Sequence, residues 1–98
     1  MSIKLYISPR FERKADLFDN ALVSRLNDKI DRISGMDINT FLRQSNRLKS
    51  GFDASNELWV ARLFNEYRLI FRLAENQSIE LMDIVAYDDL SKFIRSGK

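Results

Sequence analysis

The stretch from Leu58 to Leu73, LWVARLFNEYRLIFRL, holds three arginines, Arg62, Arg68 and Arg72, among residues that otherwise favour strands. Arginine inside an apolar strand is uncommon, because its charge is costly to bury without a partner. A guanidinium stays protonated and grips phosphate oxygens through paired N–H bonds. Three of them on adjoining strands would aim fixed positive charge from one rigid sheet. That suits binding an RNA backbone, or stabilising the charge of a phosphoryl transition state. The competing account pairs them across the sheet with Glu57, Glu66, Glu80 or Asp83. It serves well for any one arginine and less well for all three.

Strand parity bears on which arginines act together. A two-residue turn at Asn65-Glu66 pairs Phe64 with Tyr67 and leaves Arg62 and Arg68 on opposite faces. A three-residue connection pairs Arg62 with Arg68 on one face, since a one-residue slip turns a strand's side chains over. The residues are compatible with both.

Other chemistry is narrowed by absence. The chain has no cysteine and no histidine. It therefore lacks a thiolate nucleophile, the commonest base near neutral pH and the commonest transition-metal ligand. Its carboxylates do not cluster as a calcium or magnesium loop requires, so neither a metal ion nor a cofactor is expected. Proton transfer is left to carboxylates, tyrosine, lysine or arginine. Net charge is +2 but uneven: residues 1–49 hold ten Lys/Arg against six Asp/Glu, and residues 50–98 six against eight. A basic half fits a phosphate-facing surface and also an ordinary solvated helix.

The elements that must position these groups follow from periodicity. At 98 residues, 45% of them hydrophobic, the chain is expected to form a single domain, 1–98. With neither a membrane-spanning run nor a signal peptide at MSIKLYISPR, a cytoplasmic location is expected. Ile3, Leu5 and Ile7 alternate as a short strand. Ser8-Pro9 starts a helix, and Phe11, Ala15, Phe18, Leu22, Leu26, Ile30 and Ile33 form an apolar stripe. The stripe fits one helix or two joined near Asp19-Asn20, closed by Gly35. The charges between, including Arg13, Lys14, Asp16 and Arg25, read as a solvated face. Phe41, Leu42 and Leu48 anchor a short helix or packed loop, and residues 46–51 read as a polar, basic turn. LWVARLF, YRLIFRLA and IELMDIVA then make an antiparallel meander broken at Asn65-Glu66 and at 75–78. Asp88 or Asp89 caps a last helix. The expected fold is α+β: an N-terminal strand at one sheet edge, a helix or helical hairpin, a three-strand antiparallel meander and a short C-terminal helix. Trp59 reads as core, with stacking against a base as the alternative.

This arrangement resembles the RelE/ParE superfamily, the toxins of bacterial type II toxin–antitoxin pairs. The family's best-kept feature is a hairpin of aromatic-x-x-basic-hydrophobic, a short turn, then Tyr/His-Arg-Leu-Ile/Val-Phe/Tyr. It stands here as Trp59-Val60-Ala61-Arg62-Leu63 and Tyr67-Arg68-Leu69-Ile70-Phe71. Arg47-Leu48-Lys49 is similar to the family's turn before the hairpin, and Val85-Ala86-Tyr87-Asp88-Asp89 sits where many members enter their last helix. The resemblance covers the chain in order and length, and its specificity lies in the hairpin.

What the resemblance implies is a RelE-like toxin with a cognate antitoxin as partner. In the nuclease branch the ribose 2′-hydroxyl of ribosome-bound mRNA attacks the adjacent phosphate without a metal, so a metal-independent endoribonuclease that inhibits translation is the leading expectation, with the ParE-like reading below as the alternative. Arg68 then matches the phosphate-stabilising arginine, Arg62 a basic position on the first hairpin strand, and Tyr87 lies near the family's acid or base. Lys49, Arg47 and Arg72 become candidates for contacting the RNA backbone. The sequence departs from the nucleases at Asn46, where one subgroup keeps a carboxylate base, in lacking histidine, and at Asp88, where another keeps a basic residue. These departures favour the ParE branch, which inhibits DNA gyrase by protein contact. A catalytically degenerate member, or an unrelated α+β scaffold with salt-bridged arginines, is the third reading.

Overall fold

The Ser8 hydroxyl oxygen accepts the Phe11 N–H at 3.2 Å, and Pro9 takes the first helical position, where a missing N–H costs nothing. This junction ends strand β1 (Lys4–Ile7) and opens helix α1 (Pro9–Ala15). The computed structural model describes residues 3–48 and 58–88. The apolar stripe is split between two helices. The Asp19 carboxylate accepts the Leu22 N–H at 2.9 Å and starts helix α2 (Asn20–Ser34). Gly35 closes α2 with φ −83°, right-handed backbone that any residue adopts.

The segment after Gly35 is more ordered than its composition suggests. Asp37 caps helix α3 (Ile38–Arg43), which buries Phe41. Asn46–Leu48, expected to belong to a turn, instead forms strand β2. The meander follows as β3 (Leu58–Phe64), β4 (Tyr67–Ala74) and β5 (Ser78–Ala86). The sheet order is β1-β5-β4-β3-β2. As expected, β1 joins one edge, parallel to β5, and β2 adds the other edge, antiparallel to β3. Tyr87 and Asp88 already have helical backbone, one step before the expected cap. The rest of the expected C-terminal helix lies outside the described residues.

The helices cover one face. Phe11, Leu26, Ile33 and Phe41 pack there against Ala61, Leu63, Leu69, Phe71, Ile79, Leu81 and Ile84. On the other face Val60, Ile70 and Val85 form a small cluster with Leu58 and Met82, to which no described helix contributes. Burying four aromatic or aliphatic helix side chains against the sheet contributes about 1.5–3 kcal/mol each. That burial fixes which strand residues must point outward.

Two β-bulges interrupt the meander. Leu63 is the extra residue in β3, between the pairs Arg62↔Arg68 and Phe64↔Tyr67. Met82 is the extra residue in β5, between the pairs Ile70↔Asp83 and Phe71↔Leu81. Each inserts one residue and so reverses the alternation beyond it.

Candidate functional site

The turn Asn65-Glu66 is two residues long, with Asn65 in the left-handed region at φ 50°, and Phe64 pairs with Tyr67. By simple alternation Arg62 and Arg68 would then face opposite ways. The bulge at Leu63 cancels that and brings Arg62 directly opposite Arg68. Both pairings that the sequence offered as alternatives are present in one hairpin. Leu63 and Phe64, adjacent in sequence, both pack toward the helix-side core, which is the packing counterpart of the bulge.

Arg62 and Arg68 lie on the face away from the helices, since Arg68 is opposite Val85 and next along the strand from core-facing Leu69. The Arg68 guanidinium donates to the Tyr67 carbonyl at 3.1 Å and to the Asn65 carbonyl at 3.5 Å. It also stands 5.0 Å from the centroid of the Tyr87 ring. Such a cation–π contact contributes about 0.5–1 kcal/mol at an exposed site. The Tyr87 N–H donates to the Glu66 carbonyl at 2.7 Å, tying the end of β5 to the hairpin turn. Tyr87 is 59% exposed, so its phenol is open to solvent and to a ligand. On the other side of the turn, Arg25 of α2 donates to the Asn65 side-chain carbonyl at 3.2 Å.

The strand register thus sets Arg62 across from Arg68, and Arg68 stands against Tyr87. Among the described residues none of the three makes an ion pair or hydrogen bond with a carboxylate. Two arginines in register on facing strands, one of them against a phenol, offer the chemistry that could grip an anion such as a phosphodiester. The phenol could accept or donate a proton there.

Of the expected RNA-backbone residues, Arg72 and Arg47 are not gathered with them. Arg72 is tied to Glu80 at 2.6 Å, the cross-strand pairing that was the competing account of all three arginines. It sits four residues along β4 from Arg68, about 13 Å away. Arg47 is opposite Trp59 on β2 and so belongs to the helix-side face. Lys49 lies outside the described residues. Trp59 packs against the main core with its ring stacked on Phe71 at 6.2 Å, and its buried indole N–H has no partner among the described residues. That placement supports the core reading of Trp59.

The residue that the sequence misplaced is Lys14, expected on a solvated helix face. Its ammonium reaches the buried carboxylate of Asp83 at 3.3 Å and donates to the Ile84 carbonyl at 3.2 Å. Nothing in the helical pattern of α1 marks Lys14 off from Arg13. The signal was Asp83 itself, a lone acid in the apolar run IELMDIVA. Among the described residues no three Asp or Glu side chains meet as a metal site would require, and no helix is long and apolar enough to cross a membrane.

No protein-family model and no curated protein matches the sequence. The backbone does find a match. A chain of the archaeal RelE–RelB complex from Pyrococcus horikoshii OT3 superposes with a TM-score of 0.64, covering 89% of this chain and 97% of that one. The fold is RelE-like. At 16% identity the likeness lies in the backbone, and the residues set on it must be judged by their own geometry. In this RelE-like fold Arg62 and Arg68 sit beside the hairpin turn, next to the bulge at Leu63 and the end of β5.

Proposed function

We propose that this protein is the toxin of a type II toxin–antitoxin pair and that it cleaves mRNA on the ribosome. The observation that carries this reading is the Arg62–Arg68 register pair beside Tyr87, positive charge with no described carboxylate to neutralise it. In the proposed reaction the ribose 2′-oxygen attacks the adjacent phosphorus and the 5′-oxygen leaves, giving a cyclic phosphate. Arg68, with Arg62 across from it, stabilises the charge that builds on the phosphoryl oxygens. Tyr87 exchanges a proton with the attacking or leaving oxygen. No metal is needed for this chemistry, because fixed guanidinium charge takes the stabilising role. The partner is an antitoxin that covers the arginine face. The RelE-like backbone, found in a chain of a RelE–RelB complex, supports that pairing.

Inducible expression without an antitoxin tests the proposal. Growth arrest is expected, with new mRNA 5′ ends inside ribosome-occupied codons, and Arg68→Ala should abolish both. Harmless expression, or arrest with intact mRNA, counts against it. One observation favours a second reading, inhibition of DNA gyrase by protein contact: among the described residues no carboxylate base is bonded to Arg68, which stands against Tyr87. Arrest with intact mRNA and loss of plasmid supercoiling would select that reading.

A further inference from the structure

Strand β5 outruns its neighbour. β1 ends at Ile7, paired with Leu81, while β5 continues to Ala86. Among the described residues the outer edge of β5 has no strand to pair with past Leu81, and it is there that the bulge at Met82 falls. A bulge at an unpaired edge leaves backbone groups that need partners.

Those partners come from the Ser8 cap of α1, from Lys14 in its last turn and from the acid beside the bulge. The Ser8 N–H donates to the Leu81 carbonyl at 3.1 Å, and the Ser8 hydroxyl to the Met82 carbonyl at 3.0 Å. The Asp83 carboxylate accepts the Ile84 N–H at 2.8 Å. Lys14 donates to the Ile84 carbonyl at 3.2 Å and pairs with Asp83 at 3.3 Å, and Arg10 adds a longer contact to Asp83 at 3.7 Å. The Asp83 side chain is only 9% exposed, whereas that of Lys14 is 43% exposed. A carboxylate so far buried is tolerated because it is both paired and hydrogen-bonded.

The bulge decides where Tyr87 points. Leu81 and Ile84, three residues apart, both join the helix-side core, which strict alternation forbids. Because the bulge absorbs one residue, Val85 turns to the opposite face, across from Arg68. Tyr87, two residues on, follows it to lie against the Arg68 guanidinium. With strict alternation beyond Leu81, Ile84 would face outward and Val85 toward the helices, turning over the strand end that carries Tyr87.

We infer that Ser8, Lys14 and Asp83 are positioning residues that lock the β5 bulge and thereby aim Tyr87 at Arg68. They touch no ligand. They act through backbone register, from a part of the fold on the opposite side of β5 from the hairpin. The inference draws its interest from the site reading above, but its test needs no activity, so either can fail alone.

The test is solution NMR on the purified protein. In the wild type, nuclear Overhauser contacts are expected between the Tyr87 ring and the Arg68 side chain, with ring-current upfield shifts of the Arg68 methylene protons. Asp83→Ala should retain the circular-dichroism spectrum of the fold and lose both signals. The double substitution Asp83→Asn with Lys14→Met keeps the shapes and an acceptor for the Ile84 N–H while removing the ion pair and the bond to the Ile84 carbonyl. It should weaken the signals without abolishing them. Glu12→Gln, on the same helix and away from the bulge, should leave them intact. Unchanged Arg68–Tyr87 contacts in folded Asp83→Ala overturn the inference. So does unfolding of both Asp83 variants, because the contacts would then hold the whole fold and not the aim of one side chain.

Discussion

Strand β4 carries two arginines on its outward face with opposite surroundings. Arg72 faces Glu80 across the sheet and is neutralised at 2.6 Å. Arg68 faces Arg62, a like charge in register. Opposite charges on facing strands stabilise a sheet by a few tenths of a kcal/mol to about 1 kcal/mol, and like charges destabilise it similarly. One end of the strand thus follows the rule that builds stable sheets, and the other breaks it. A like-charge pair with no carboxylate bonded to it among the described residues is a place where an anionic ligand could supply the missing charge. The arginine that a sequence motif makes prominent is therefore not equal to its neighbour of the same type, and the difference lies in what stands across the sheet.

The sharpest way to break the comparison is Arg68→Ala. If the hairpin end serves a phosphoryl transition state, mRNA cleavage on purified ribosomes should fall by about 100-fold or more, while the melting temperature changes little. Arg62→Glu should follow in size and divide the two properties. It replaces repulsion by an ion pair with Arg68, so cleavage should drop by at least about tenfold. Stability should rise by about 0.5–1 kcal/mol, read from urea denaturation midpoints. A fall in both would mean that Arg62 supports the fold, contrary to the comparison. At the Arg72 end, Glu80→Gln should leave cleavage and toxicity unchanged and cost about 0.2–1 kcal/mol, since both partners are partly exposed. Loss of activity there would place Arg72 in the site after all.

Much of the fold was legible in the sequence and the arrangement of the site was not, for one physical reason. Periodicity reports which element a residue belongs to, and Ser8-Pro9, the Phe11–Ile33 stripe and the three strand runs gave their elements correctly. It does not report an inserted residue. The bulges at Leu63 and Met82 add one position each, and each residue is an apolar member of an apolar run, so nothing in its type announces the insertion. Yet these two residues decide that Arg62 opposes Arg68 and that Tyr87 shares their face. Strand β2 was missed for a related reason. Asn46-Arg47-Leu48 is polar and basic because it forms an edge strand, and edge strands favour such residues. Asp83 could have been flagged as a lone acid in a buried strand, although its partner could not, because Lys14 lies 69 positions away in sequence.

The smallest expected effect concerns salt, and it follows from the sign of the two pairs. Salt screens exposed charges over a Debye length of about 8 Å at 0.15 M and about 3 Å at 1 M. Screening weakens the attraction between Arg72 and Glu80 and relieves the repulsion between Arg62 and Arg68. In Glu80→Gln the attractive pair is gone and the repulsive one remains, so added sodium chloride should stabilise that variant relative to the wild type. In Arg62→Gln the repulsive pair is gone, so salt should destabilise it relative to the wild type. Each shift should amount to a few tenths of a kcal/mol between 0.05 and 1 M, about the scale of an exposed pair. The two slopes must differ in sign once the common response of the wild type is subtracted. Equal slopes would show that Arg62 and Arg68 do not repel each other in solution, and the contrast between the two ends of β4 would then be one of geometry without an energetic counterpart.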